Sequence, residues 1–150
     1  MINRFNFLNP IFIMAICLFG CQKPSSDAAF KQNNDFAKVT QLADSAYNMA
    51  YFGDSAKAAL LTHKLIKIAD SLSTGLAQAD AYRTAAMVYG AWMAYEDAFF
   101  YYRKAEQILS TIEGEEAEKL RAKTWLNISL LYVTGGEYQK AVEYALKGET

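Results

Sequence analysis

The side chains with reactive potential are few: one histidine, two cysteines and one dense cluster of acids. His63 stands beside Lys64 with no second imidazole or thiol at metal-ligand spacing, so it reads as a solvent-facing residue. Glu113, Glu115, Glu116 and Glu118 form the acid cluster. Paired carboxylates do acid–base work in many enzymes. These acids flank Gly114 and open an apolar-periodic run, where acids favour the positive end of a helix. No serine, cysteine or lysine lies in a hydrolase or kinase motif. Gly135-Gly136 follows no strand, so it reads as a helix stop and not as a phosphate loop. Phe99 and Tyr102 share one face of a helix while Phe100 and Arg103 share another, and packing is the expected use of these aromatics. The expectation is no enzyme, no cofactor, no metal and no small-molecule substrate.

The elements that position these residues follow from composition and pattern. The 150 residues carry 15 Lys+Arg against 16 Asp+Glu, a net charge of −1. That balance argues against nucleic acid, which needs a basic face. Apolar residues are 53% and charged residues 21%, which excludes a disordered chain. With 8 Gly and 2 Pro there are few turn signals, and the expected class is all-α.

Residues 1–21 read differently from the rest. Arg4 precedes an apolar run from Ile11 to Gly20, which is half the length of a membrane-spanning helix and suits the apolar core of an export signal. The run ends in Leu18-Phe19-Gly20-Cys21, which resembles a bacterial lipobox, with Phe19 bulkier than usual. The resemblance implies a signal over 1–20, cleavage before Cys21 and lipid on its thiol. Residues 21–33, opening with Gln22-Lys23-Pro24-Ser25-Ser26-Asp27, are expected to form a polar tether. The implied address is the bacterial cell envelope on the periplasmic side, anchored to the membrane through the lipid. Gln22 in place of Asp favours the outer membrane.

From residue 34 to 150 the chain reads as paired helices over about 34–74, 76–112 and 116–150, the last cut short. Phe36, Val39, Ala43, Ala46, Tyr47 and Ala50 recur at helical spacing after a cap at Asn34 or Asp35. Gly53-Asp54-Ser55 ends that helix and caps the next. Short breaks between partners mean antiparallel hairpins. The clearest unit is Trp125, Ile128 with Ser129, Tyr132, Gly136, Tyr138 and Ala141. Tyr82, Ala85 with Ala86, Tyr89, Tyr95, Ala98 and Tyr102 repeat it, and Leu42, Ala46, Gly53 and Ala58 give a fainter copy. This pattern resembles the tetratricopeptide repeat, although its usual period is about 34 residues and the copies here are longer. Met93 stands where the family has Gly, and a left-handed turn is costly there. The expectation is a turn built differently, with a longer third helix.

The resemblance implies a short right-handed α-solenoid whose first helices line a groove for a protein or peptide. Carried onto this sequence, the lining is Tyr47, Tyr51, Asp80, Arg83, Thr84, Met87, Lys123, Leu126, Asn127 and Leu130. Arg83, Lys123 and Asn127 partly echo the clamp with which some members hold a terminal carboxylate. The expected function is a membrane-anchored interaction module, a scaffold or adaptor. The alternative is a sensory ectodomain at the front of a longer signalling protein. Tyr138, Val142 and Leu146 on the last helix are expected to leave apolar surface open, which suits a natural chain that continues.

Overall fold

The computed structural model describes residues 26–73 and 75–149, with side chains from residue 36 onward. It holds six α-helices and, among the described residues, no strand: α1 Ser26–Phe52, α2 Ser55–Ser71, α3 Leu76–Ala91, α4 Tyr95–Leu109, α5 Glu115–Thr134 and α6 Tyr138–Lys147. The all-helical class is therefore as expected. Cys21 and the expected export signal lie outside the described residues.

Residues 26–33, expected to belong to a polar tether, are helical, because α1 already begins at Ser26. Ala28, Ala29, Lys31 and Gln32 are good helix formers, and no Gly or Pro interrupts them. Polarity alone does not keep such a stretch extended. The next boundary falls where expected. The Asp54 carboxylate accepts the N–H groups of Ala56 at 2.8 Å and Lys57 at 3.2 Å, two donors with no partner inside the helix. Glu115, Glu116 and Glu118 occupy the first turn of α5, the position where acids meet the positive end of the helix.

Three hairpins result: α1 with α2, α3 with α4, α5 with α6. Each later hairpin enters through its first helix. Thus α3 packs on both α1 and α2, and α5 packs on both α3 and α4. Small residues permit the close approach: Ala58, Ala98, Ala105 and Ala141 are all buried. The central helix α3 buries nine of its residues and so shows no single apolar stripe, as a helix covered on several sides should.

Side chains staple successive hairpins. Gln78 donates to the carbonyl of Ala69 at 2.9 Å, at the end of α2. Arg121 donates to the carbonyls of Leu109 at 2.7 Å and Ile112 at 3.1 Å, at the end of α4. Gln78 and Arg121 are 43 residues apart and do the same work, satisfying carbonyls that a helix end leaves open. Tyr82 and Trp125, also 43 apart, each reach back to an acid of the preceding helix: Asp70 for the phenol and Glu106, at 2.9 Å, for the indole.

The expectation for Met93 is overturned. Its φ is 59°, so it adopts the left-handed conformation that Gly136 takes at φ 79° in the next hairpin. The hydrogen bonds match as well. Met93 N–H reaches the Gly90 carbonyl at 3.0 Å and Ala94 N–H reaches Tyr89 at 3.0 Å. Gly136 N–H reaches Val133 at 3.1 Å and Glu137 N–H reaches Tyr132 at 2.9 Å. This is the Schellman turn in both places. Two bonds and the packing of Tyr89 and Tyr95 outweigh a penalty of roughly 1–2 kcal/mol for a non-glycine residue. Because the Met93 side chain is 74% exposed, Met93→Gly removes that penalty with little loss of packing. The expected result is a gain of about 1 kcal/mol, offset in part by glycine's freer unfolded chain, read as a higher urea midpoint at unchanged slope.

Candidate recognition surface

Three stripes of side chains run along the first helices of the hairpins. Phe36, Thr40, Asp44, Tyr47 and Tyr51 follow one another on α1 at steps of three and four, as residues on one helix face must. Leu76, Asp80, Arg83, Met87 and Gly90 do so on α3, and Glu116, Lys119, Lys123, Asn127, Leu130 and Thr134 on α5. The stripes meet around two concavities. The larger, of 340 Å³, lies toward the starts of these helices and contains Asp80, Arg83 and Lys123. The smaller, of 140 Å³, lies toward their ends and contains Tyr47, Tyr51, Met87, Asn127 and Leu130.

Eight of the ten expected lining residues are thus brought to one surface. Thr84 and Leu126 are not. Thr84 is one residue past the stripe on α3, which turns it inward, and it is buried where its hydroxyl meets Arg83 Nη at 3.4 Å. Leu126 is one residue before the stripe on α5, which turns it toward α6, where its Cγ lies 3.2 Å from the position a Cβ on Gly148 would take.

The larger concavity carries three acids, Asp44, Asp80 and Glu116, against three bases, Arg83, Lys119 and Lys123. Two pairs close within it. Arg83 donates from Nε at 2.9 Å and from Nη at 2.7 Å to the same Oδ1 of Asp80. Lys119 reaches Glu115 at 2.6 Å and Glu116 at 3.3 Å. Among the described residues Lys123 and Asp44 have no ion-pair partner. The clamp echoed by Arg83, Lys123 and Asn127 does not assemble: Arg83 is committed to Asp80, and Asn127 belongs to the other concavity.

No charged side chain lines the smaller concavity. Tyr102 reaches it from α4 and is only 3% exposed. Burial is the main cause that pushes its phenol well above the usual range, opposed by Arg83 and reinforced by Tyr51 and Tyr47. The Tyr51 phenol is also raised, first by burial and then by Tyr47. Both hydroxyls therefore stay neutral donors at physiological pH. Tyr102 was legible in the sequence only as a core residue. Phe36, Thr40 and Asp44 were readable as the upstream continuation of the Tyr47–Tyr51 stripe.

The exposed side chains of α2 and α4 differ in kind. His63 is exposed on α2. Phe100 is exposed on α4, with Lys104 Nζ 5.1 Å from its ring centre. Its neighbour Phe99 packs on Tyr132, ring centres 4.8 Å apart. Among the described residues no three His, Cys, Asp or Glu groups come together as a metal site. No helix among them is long and apolar enough to cross a membrane. The chain matches no protein-family model, no curated protein and no solved structure.

Proposed function

We propose that this chain is a protein-recognition module built of tetratricopeptide-like hairpins and held at a bacterial envelope membrane by lipid on Cys21. It would act as a scaffold or adaptor, with no reaction of its own. The observation that carries this reading is the alignment of the α1, α3 and α5 stripes on one surface with two concavities. A peptide or helix laid along that surface meets phenols and an amide at one end and unpaired charge at the other, a mixture suited to an extended segment. The repeated staples at Gln78 and Arg121, and the matched turns at Met93 and Gly136, support a repeat architecture.

The test is a pair of charge reversals in the native envelope. Lys123 lies on the proposed surface and Lys67 on α2, and both are exposed, so neither reversal disturbs the core. Lys123→Glu is expected to reduce co-purification of the partner at least about tenfold, in the range of a lost charged contact. Lys67→Glu is expected to leave it unchanged. Equal effects from both contradict the reading.

A second reading, the sensory ectodomain of a longer signalling protein, is favoured by one feature. Tyr138, Val142 and Leu146 on α6 are 67%, 58% and 58% exposed and form one apolar face. A further hairpin would cover it as α5 covers α4.

A further inference from the structure

The smaller concavity combines a size, a wall and an unused hydrogen-bonding group that together specify an occupant. We propose that it is a binding site for a single uncharged aromatic ring carrying a hydrogen-bond acceptor, supplied by a small molecule or by one residue of a partner. The inference rests on the reading of the α1–α3–α5 surface as a recognition surface and names what its smaller concavity selects.

Size comes first. The volume is 140 Å³, close to the roughly 150 Å³ of an apolar cavity that takes up benzene. The wall comes second. Met87, Leu130 and Leu131 supply apolar surface, and the Tyr47 and Tyr51 rings stand 4.5 Å apart at 38°. Tilted rings of this kind accept a further ring edge to face. The lining itself carries no charge, and the Arg83 guanidinium behind Met87 is held by Asp80, so an uncharged ring is favoured over a carboxylate or ammonium.

The unused group comes third. Tyr102 is 97% buried by its 3% exposure, and its hydroxyl has no hydrogen-bond partner among the described residues. Tyr102 lines the concavity together with Tyr47 and Tyr51. The Asn127 amide, also in the lining, has no hydrogen-bond partner among the described residues either. The hydroxyl keeps access to the concavity that Tyr102 lines, so a bound acceptor can take the place of water as its partner.

The experiment follows the Met87 methyl signal of the full folded chain during titration with three probes. These are p-cresol, toluene and 4-methylbenzoate, which share a size and differ in acceptor and charge. The p-cresol titration is expected to saturate with Kd on the order of 1 mM, as suits so small a ligand. Toluene is expected to bind several-fold more weakly, and 4-methylbenzoate not to saturate. Tyr102→Phe, confirmed as folded by its unfolding midpoint, is expected to weaken p-cresol about fivefold and to leave toluene unchanged.

Absence of saturable p-cresol binding overturns the proposal, as does equal affinity for toluene or equal loss of both ligands in Tyr102→Phe. A capped Gly-Tyr-Gly peptide separates the two sources. Tighter binding than p-cresol assigns the ring to a peptide partner, whereas p-cresol binding without peptide binding assigns it to a small molecule. Ring binding that fails while Lys123→Glu still releases a partner removes this site alone. Ring binding that succeeds with no partner loss removes the recognition reading instead.

Discussion

Asp80→Ala is expected to lower the unfolding free energy by about 3 kcal/mol, the magnitude seen when one member of a buried ion pair is removed. The Asp80 side chain is 8% exposed and that of Arg83 is 17% exposed. Two guanidinium nitrogens converge on one carboxylate oxygen, so the acid provides most of what replaces water around the cation. Without it Arg83 retains the Met87 sulfur at 3.0 Å and the Thr84 hydroxyl at 3.4 Å, both weak acceptors for a cation. The double variant Asp80→Leu with Arg83→Met is expected to recover most of the loss, because a pair of apolar residues carries no desolvation cost. Urea unfolding of the single and double variants measures both effects. A single-variant loss below about 1 kcal/mol is the value of a solvated surface pair and contradicts the burial described. The same geometry makes Arg83→Glu a poor probe of recognition, since it sets two acids side by side and tests folding instead.

Leu109→Ala is expected to cost about 3–4 kcal/mol. Leu109 is fully buried and packs with Ala79 of α3 and Leu120 of α5 where three helices meet. Truncation removes buried methyl groups and leaves a cavity that neighbours on three separate helices cannot close together. Leu60→Ala on α2 is the matched control. That side chain is 69% exposed, and its removal is expected to change stability by no more than about 0.5 kcal/mol. Equal losses at the two leucines contradict the assignment of Leu109 to a shared core. Because α5 joins the preceding hairpin through this contact and through Arg121 on the Leu109 carbonyl, Leu109→Ala is also expected to broaden the unfolding transition.

Much of this was legible before any coordinates. Asp54 before an apolar-periodic run predicted a cap, and the cap is there, because an N-terminal acceptor acts through bonds two and three residues away. Gly135-Gly136 predicted a stop for the same local reason. The failures arise where distant parts of the chain decide. At Met93 local preference opposed the turn, and packing with two hydrogen bonds imposed it. At Ser26–Asn33 the polar composition suggested a tether, while backbone propensity favours a helix. Thr84 and Leu126 were misplaced by a single residue each, which on a helix is about 100° of rotation and so a different face. Tyr102 belongs to α4, and no spacing rule within α1, α3 or α5 brings it to their surface.

The central claim, recognition through the α1–α3–α5 surface, is tested most directly by site-specific photo-crosslinking in the native cells. A photoreactive residue is placed in turn at Tyr47, Lys123, Asn127 and Leu130 on that surface, and at the exposed Lys57, His63, Lys67 and Gln107 of α2 and α4. The account predicts one discrete partner band from the first set and none from the second. The same band from both sets, or bands from the α2 and α4 positions alone, would contradict it.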